Sequence, residues 1–167
     1  HESVKVPFVA AMQEVIVNFF SADPEQSENY CRIINERQFS RLANYLKQGH
    51  IIFGGQYNPE SKYIAPTLMD EILPDAAILR EEIFGPILPI LTFTHRQEAL
   101  DIIAKNPNPL SFYVYTSSNK REDEWINAVS FGGGCVNNSS WHFTNPDLPF
   151  GGRGKSGIGA AHGKSSF

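Results

Sequence analysis

Cysteine is scarce in this chain, and charge of one sign is nowhere concentrated. Cys31 and Cys135 are the two cysteines among 167 residues, too few for a disulfide framework and not clustered as a thiolate zinc site requires. The five histidines, His1, His50, His95, His142 and His162, share no metal-ligand spacing, so no metal is expected. No basic run appears either. The 14 Lys and Arg are scattered among 18 Asp and Glu for a net charge of -4, which leaves no electrostatic footprint for nucleic acid. No basic-then-apolar leader is visible and no apolar stretch stands out as long enough to span a bilayer, so the expectation is a cytoplasmic protein without a membrane segment. An initiating Met is lacking too. Residue 1 is His, a helix is due within a few residues, and the chain stops after a glycine-rich run with no closing element, so an excised segment is expected.

What is present suffices for a folded domain. Hydrophobic residues make up 41% and charged residues 19% of the chain, enough apolar material for one core. Phe8, Val9, Met12, Val15, Ile16 and Phe19 recur at the three- and four-residue spacing of one helical face, and Asp23-Pro24 interrupts the pattern. Asn35 with Gln38 three residues on reads as a capping pair, followed by the stripe Phe39, Leu42, Leu46 and a terminating Gly49. Strands are predicted at 51–53, 63–69 and 112–115, with a final one at Cys135–Asn137. The unbroken apolar run 87–93 predicts a strand covered on both faces, which implies parallel packing. Helices are predicted after Thr94, through Ala99, Leu100 and Ile103, and again around Trp125, Ile126 and Val129. Strands alternating with helices argue for an α/β fold of three αβα layers around a mostly parallel sheet.

Three segments carry candidate chemistry. Glu81-Glu82-Ile83-Phe84-Gly85-Pro86 places acidic and aromatic residues on a turn before a buried strand, where a carboxylate could hold a sugar diol; an ordinary acidic surface turn is the competing reading. Gly154-Lys155-Ser156 matches the end of a phosphate-loop pattern, but the pattern's first glycine should stand at 149, and Pro149 offers neither the conformation nor the amide. The phosphate loop is excluded. Cys135, His142 and Asn137 or Asn138 could form a nucleophilic set, yet seven residues of separation do not establish pairing, and a cysteine in an apolar strand start is more often inert.

Read in order, a longer series of motifs emerges: Arg32-Ile33-Ile34-Asn35, Tyr63-Ile64-Ala65-Pro66-Thr67, Glu81 through Ile90, Leu148-Pro149-Phe150-Gly151-Gly152, Ser156-Gly157-Ile158-Gly159 and His162-Gly163-Lys164-Ser165-Ser166-Phe167. This series resembles the aldehyde dehydrogenase superfamily over nearly the whole chain, and its closing stretch looks like the class 3 and fatty-aldehyde branch. The resemblance implies that residues 1–167 are a single, partial catalytic domain, with the Rossmann cofactor domain absent. It implies an NAD(P)-dependent oxidation of an aldehyde to a carboxylate through a cysteine thioester, in a parent enzyme that is a homodimer. By the motif match Glu82 would hydrogen-bond the nicotinamide ribose and Phe84 would pack against that ribose and the nicotinamide. Asn137 would order backbone near the active-site funnel, Phe150 would line the substrate channel, and His142 falls near the substrate entrance without an assigned chemistry. No residue here matches the family's nucleophile, general-base glutamate or oxyanion-stabilising asparagine, so the chain alone is expected to be inactive. Two other readings are an acyl-phosphate or acyl-CoA reductase of the same superfamily and a truncated, non-catalytic interaction module.

Overall fold

A computed structural model describes residues 1–164; Ser165-Ser166-Phe167, the end of the last motif, lie outside the described residues. The chain forms two compact units, residues 1–95 and 96–167, each taken in turn.

The first unit opens with helix α1, Lys5–Phe20. The three- and four-residue apolar spacing gives a helix as expected, but the stripe is not buried as a whole. Ile16 is buried, whereas Phe8, Val15 and Phe19 are exposed. By length and composition alone the helical stretch Glu2–Gln26 could cross a membrane, which corrects the expectation that no stretch was long enough. Within that stretch α1 itself ends at Phe20, where Ser21 leaves helical backbone. Lys5 gives α1 a different attachment, because its Nζ donates to Asp70 Oδ2 at 2.5 Å, an ion pair with a buried carboxylate of the same unit.

Helix α2, Glu36–Tyr45, begins where Asn35 Oδ1 accepts from the Gln38 amide at 2.9 Å, satisfying a donor that the helix start leaves without an internal partner. Its Phe39, Leu42 and Tyr45, with Leu46 at the C-cap, pack with Ile64, Met69, Ala76, Ile78 and Ile87. The strands it covers are β1 (His50–Phe53), β4 (Thr67–Asp70) and β5 (Ile87–Pro89), in the order β1-β4-β5. Between β1 and β4 in sequence, β2 (Tyr57–Asn58) and β3 (Tyr63–Ile64) form a separate antiparallel pair. β4 runs antiparallel to β1 and parallel to β5, so the parallel packing expected of the 87–93 run is found. Its length is not. The strand ends at Pro89, after which the Ile90 amide makes one more bond to the Met69 carbonyl at 2.7 Å. Leu88 and Leu91 are exposed, so the run is not covered on both faces, and β5 stands at the end of the order β1-β4-β5 among the described residues.

The second unit contains α3 (Arg96–Ala104), β6 (Ser111–Val114), α4 (Asn119–Ala128), β7 (Gly133–Val136) and the short α5 (Trp141–Thr144). β6 and β7 pair in parallel, Ser111 opposite Gly133 and Tyr113 opposite Cys135. The alternation of strand side chains separates Ser111, Tyr113 and Cys135 from Phe112, Val114 and Val136. The last strand was expected at Cys135–Asn137; it begins two residues earlier and stops at Val136, because Asn137 takes a left-handed φ of 52°. Alternating helices and strands place the chain in the α/β class.

Candidate functional site

The acidic-aromatic segment forms an exposed turn between the 3-10 helix Ala77–Leu79 and β5. Glu81 and Glu82 are exposed, and Phe84 is 83% exposed with φ of 49°. A bulky residue in left-handed backbone costs about 1–3 kcal/mol and persists where its surroundings dictate it. Here the surroundings are supplied by α2. Arg41 Nη1 donates to the Glu82 carbonyl at 3.1 Å and Nη2 to the Ile83 carbonyl at 2.7 Å. Nη1 also donates to Tyr45 Oη at 2.7 Å, and that hydroxyl donates to Glu81 Oε2 at 2.7 Å. Burial pushes the Tyr45 phenol up, the bond to Glu81 adds to this, and Arg41 opposes both; the hydroxyl keeps its proton at neutral pH. On the far side of the turn Gly85 packs on Leu42, where a Cβ would lie 2.6 Å from both methyl groups. The exit is tied to β4 by the Thr67 amide, which donates to the Pro86 carbonyl at 2.8 Å.

This arrangement displays an exposed carboxylate and an exposed aromatic ring on a backbone that cannot easily move. Chemically, a carboxylate can accept hydrogen bonds from a pair of neighbouring hydroxyls, and an apolar ring can offer a face to a flat ring.

In the second unit His142 is buried. Its Nε2 lies 3.4 Å from Ser111 Oγ and its Nδ1 3.9 Å from Cys135 Sγ. Cys135 and His142 are therefore neighbours, a pairing that spacing alone did not establish. Gly133 makes room for the imidazole, since a Cβ there would stand 2.5 Å from His142 Cδ2. Phe150 packs on the same ring, centroids 5.8 Å apart, and its backbone bridges to Ala161. Asn137 does not join this group. Its Oδ1 accepts from the Thr116 amide and its Nδ2 donates to the Thr116 carbonyl, both at 2.9 Å, which pins the loop following β6. Gly154–Ser156 forms a 3-10 turn, not the long helix whose N-terminus a phosphate loop needs.

Sequence reasoning missed Arg41 and Tyr45, whose bonds go to backbone carbonyls and a carboxylate some forty residues away; capping and stripe patterns carry no such signal. It also missed the cluster of Asp70 with Lys5 and His50 Nδ1, the latter at 2.8 Å.

The Aldehyde dehydrogenase family profile matches residues 1–167. The chain belongs to the aldehyde dehydrogenase family. It is 44% identical over its full length to 4,4'-diaponeurosporen-aldehyde dehydrogenase of Staphylococcus aureus, covering 37% of that protein. It is 38% identical, over 99% of its length, to the dimeric NADP-preferring aldehyde dehydrogenase of Mus musculus, covering 36% of it. The substrate-bound structure of Staphylococcus aureus AldH superposes with a TM-score of 0.93 at 44% identity, over all of this chain and 37% of that one. The chain thus spans about a third of the length of the aldehyde dehydrogenases it matches, and it has their fold.

Proposed function

We propose that this chain is the part of an NAD(P)-dependent aldehyde dehydrogenase that presents the Glu82–Phe84 turn to the nicotinamide end of the dinucleotide. The observation that carries this reading is the clamped turn itself, in a chain of that family. Glu82 accepts hydrogen bonds from the nicotinamide ribose hydroxyls. Phe84 packs against the ribose and nicotinamide and limits how the ring can tilt. The dinucleotide, when bound, supplies the hydride acceptor, and the protein supplies its orientation. An enforced alignment of reacting groups lowers the entropic part of the barrier, which gives the strained Phe84 backbone a use.

The nucleophile lies in the remaining two thirds of the parent enzyme. Cys135 does not replace it: its thiol faces buried His142 within the second unit. In the parent enzyme, Asn137 holds backbone beside the active site, and Phe150 with His142 supports the wall of the substrate channel. The name of the mouse relative, dimeric and NADP-preferring, supports a homodimeric parent that takes NADP or NAD. The test is turnover. The full-length enzyme is expected to reduce NAD or NADP in the presence of an aldehyde, and residues 1–167 alone to do nothing; aldehyde oxidation by the isolated chain would overturn the assignment of the nucleophile to the rest of the protein.

A further inference from the structure

We infer that Arg41, Tyr45 and Glu81 form a positioning device that sets the conformation of the Glu82–Phe84 turn, with the Tyr45 hydroxyl as its linking atom. The inference rests on the reading of that turn as the dinucleotide site and extends it to residues that do not themselves touch the cofactor.

The geometry supports a positioning role in three ways. The guanidinium holds two consecutive carbonyls, those of Glu82 and Ile83. The Ile83 carbonyl belongs to the peptide plane that enters Phe84, and the Pro86 carbonyl just beyond is held by the Thr67 amide, so the chain is anchored on both sides of the residue whose φ is 49°. The Glu82 carbonyl belongs to the plane between Glu82 and Ile83, so the two consecutive planes that lead into Phe84 are both held by one guanidinium. Tyr45 then immobilises the clamp. Tyr45, the last residue of α2, is 2% exposed, and its hydroxyl accepts from Arg41 and donates to Glu81. Arg41 stands one helical turn before Tyr45, the spacing at which side chains on one helix face meet. Gln38 Oε1 takes the remaining Nε donor at 2.8 Å, so the guanidinium is held along its length. Glu81 Oε2, 3.7 Å from Arg41 Nη1, balances its charge. A planar fork with several fixed donors suits this task, and a lysine, a single point charge on a flexible stem, does not.

Tyr45→Phe gives a clean test, because it deletes one hydroxyl and leaves the packing of the ring. In the full-length enzyme, with aldehyde saturating, Tyr45→Phe removes the bonds from Arg41 and to Glu81 and is expected to raise KM for the dinucleotide about 3- to 10-fold, the order of one hydrogen bond's net contribution, because the other bonds of Arg41 to the turn remain. KM for the aldehyde should stay unchanged. Arg41→Met should act in the same direction and more strongly, and Arg41→Lys should recover only part of the loss. Glu82→Gln and Phe84→Leu serve as reference variants. If they raise KM for the dinucleotide while Tyr45→Phe and Arg41→Met do not, the positioning device is refuted and the cofactor site stands. If Glu82→Gln and Phe84→Leu change neither KM for the dinucleotide nor kcat, the turn is not the dinucleotide site and both ideas fall. Should Arg41→Met fail to fold, Tyr45→Phe decides the question alone.

Discussion

Replacing Gly85 with alanine tests whether α2 seats the turn. The φ of Gly85 lies outside the left-handed region, so the glycine is not needed for backbone conformation; the added methyl would instead stand 2.6 Å from both Leu42 methyl groups. Leu42 is fully buried and has little room to turn away. Overpacking of this kind costs about 1–3 kcal/mol, and that loss is expected for Gly85→Ala. Leu42→Ala alone removes a buried side chain and should cost about 2–5 kcal/mol. The double variant separates this account from a generic loss of stability. With Leu42 truncated, the methyl at 85 enters vacated space, so the pair should be less destabilised than the sum by about 1–3 kcal/mol. Urea denaturation of the chain reads these differences as shifts in midpoint at constant slope. Additivity within about 0.5 kcal/mol, or a neutral Gly85→Ala, would show that Leu42 does not support the turn.

Asp70→Asn should cost about 1.5–3 kcal/mol at neutral pH, the range for hydrogen bonds to a charged group, here those from Lys5 and His50. Burial alone would raise the Asp70 carboxyl; the bonds and charges of Lys5 and His50 outweigh it and hold the group below its ordinary value of 3.8. A carboxyl depressed in the folded state contributes stability that is complete above its unfolded value and lost as pH falls through the folded one. The gap between wild type and Asp70→Asn should therefore persist to mildly acidic pH and close only below 3.8; a gap that closes near neutrality would contradict this account. Gly133→Ala should push the His142 ring away from Cys135 and Ser111, with a loss of about 1–3 kcal/mol and displaced imidazole resonances in NMR. Unchanged resonances would show that the imidazole does not depend on the space at 133.

Local features were legible in the sequence. Asn35 caps α2 through Gln38, and Phe39, Leu42 and Leu46 form part of the core, because capping and helical periodicity are properties of neighbouring residues. Partnering was less legible. The α1 stripe has the helical period but leaves Phe8, Val15 and Phe19 exposed, since periodicity identifies an apolar face and not what covers it. The 87–93 run departs from expectation in a related way: hydrophobicity does not reveal which face is covered, and Leu88 and Leu91 are exposed. Around the turn, Glu82 and Phe84 were singled out by motif resemblance. Their supports were not, because a guanidinium bonded to distant carbonyls leaves no short-range pattern, and the resemblance itself concerned the turn and not α2. His142 and Cys135 were considered together from sequence, but their contact depends on β7 and α5 folding back on each other, with Gly133 providing the space.

Glu82 and Phe84 are proposed to handle the nicotinamide end of a dinucleotide. Steady-state kinetics of Glu82→Gln in the full-length enzyme test it most directly. Losing a charge-assisted bond to the ribose should raise KM for NAD or NADP roughly 10- to 100-fold, with KM for the aldehyde unaltered. A variant whose dinucleotide KM matches that of the wild type would contradict the account.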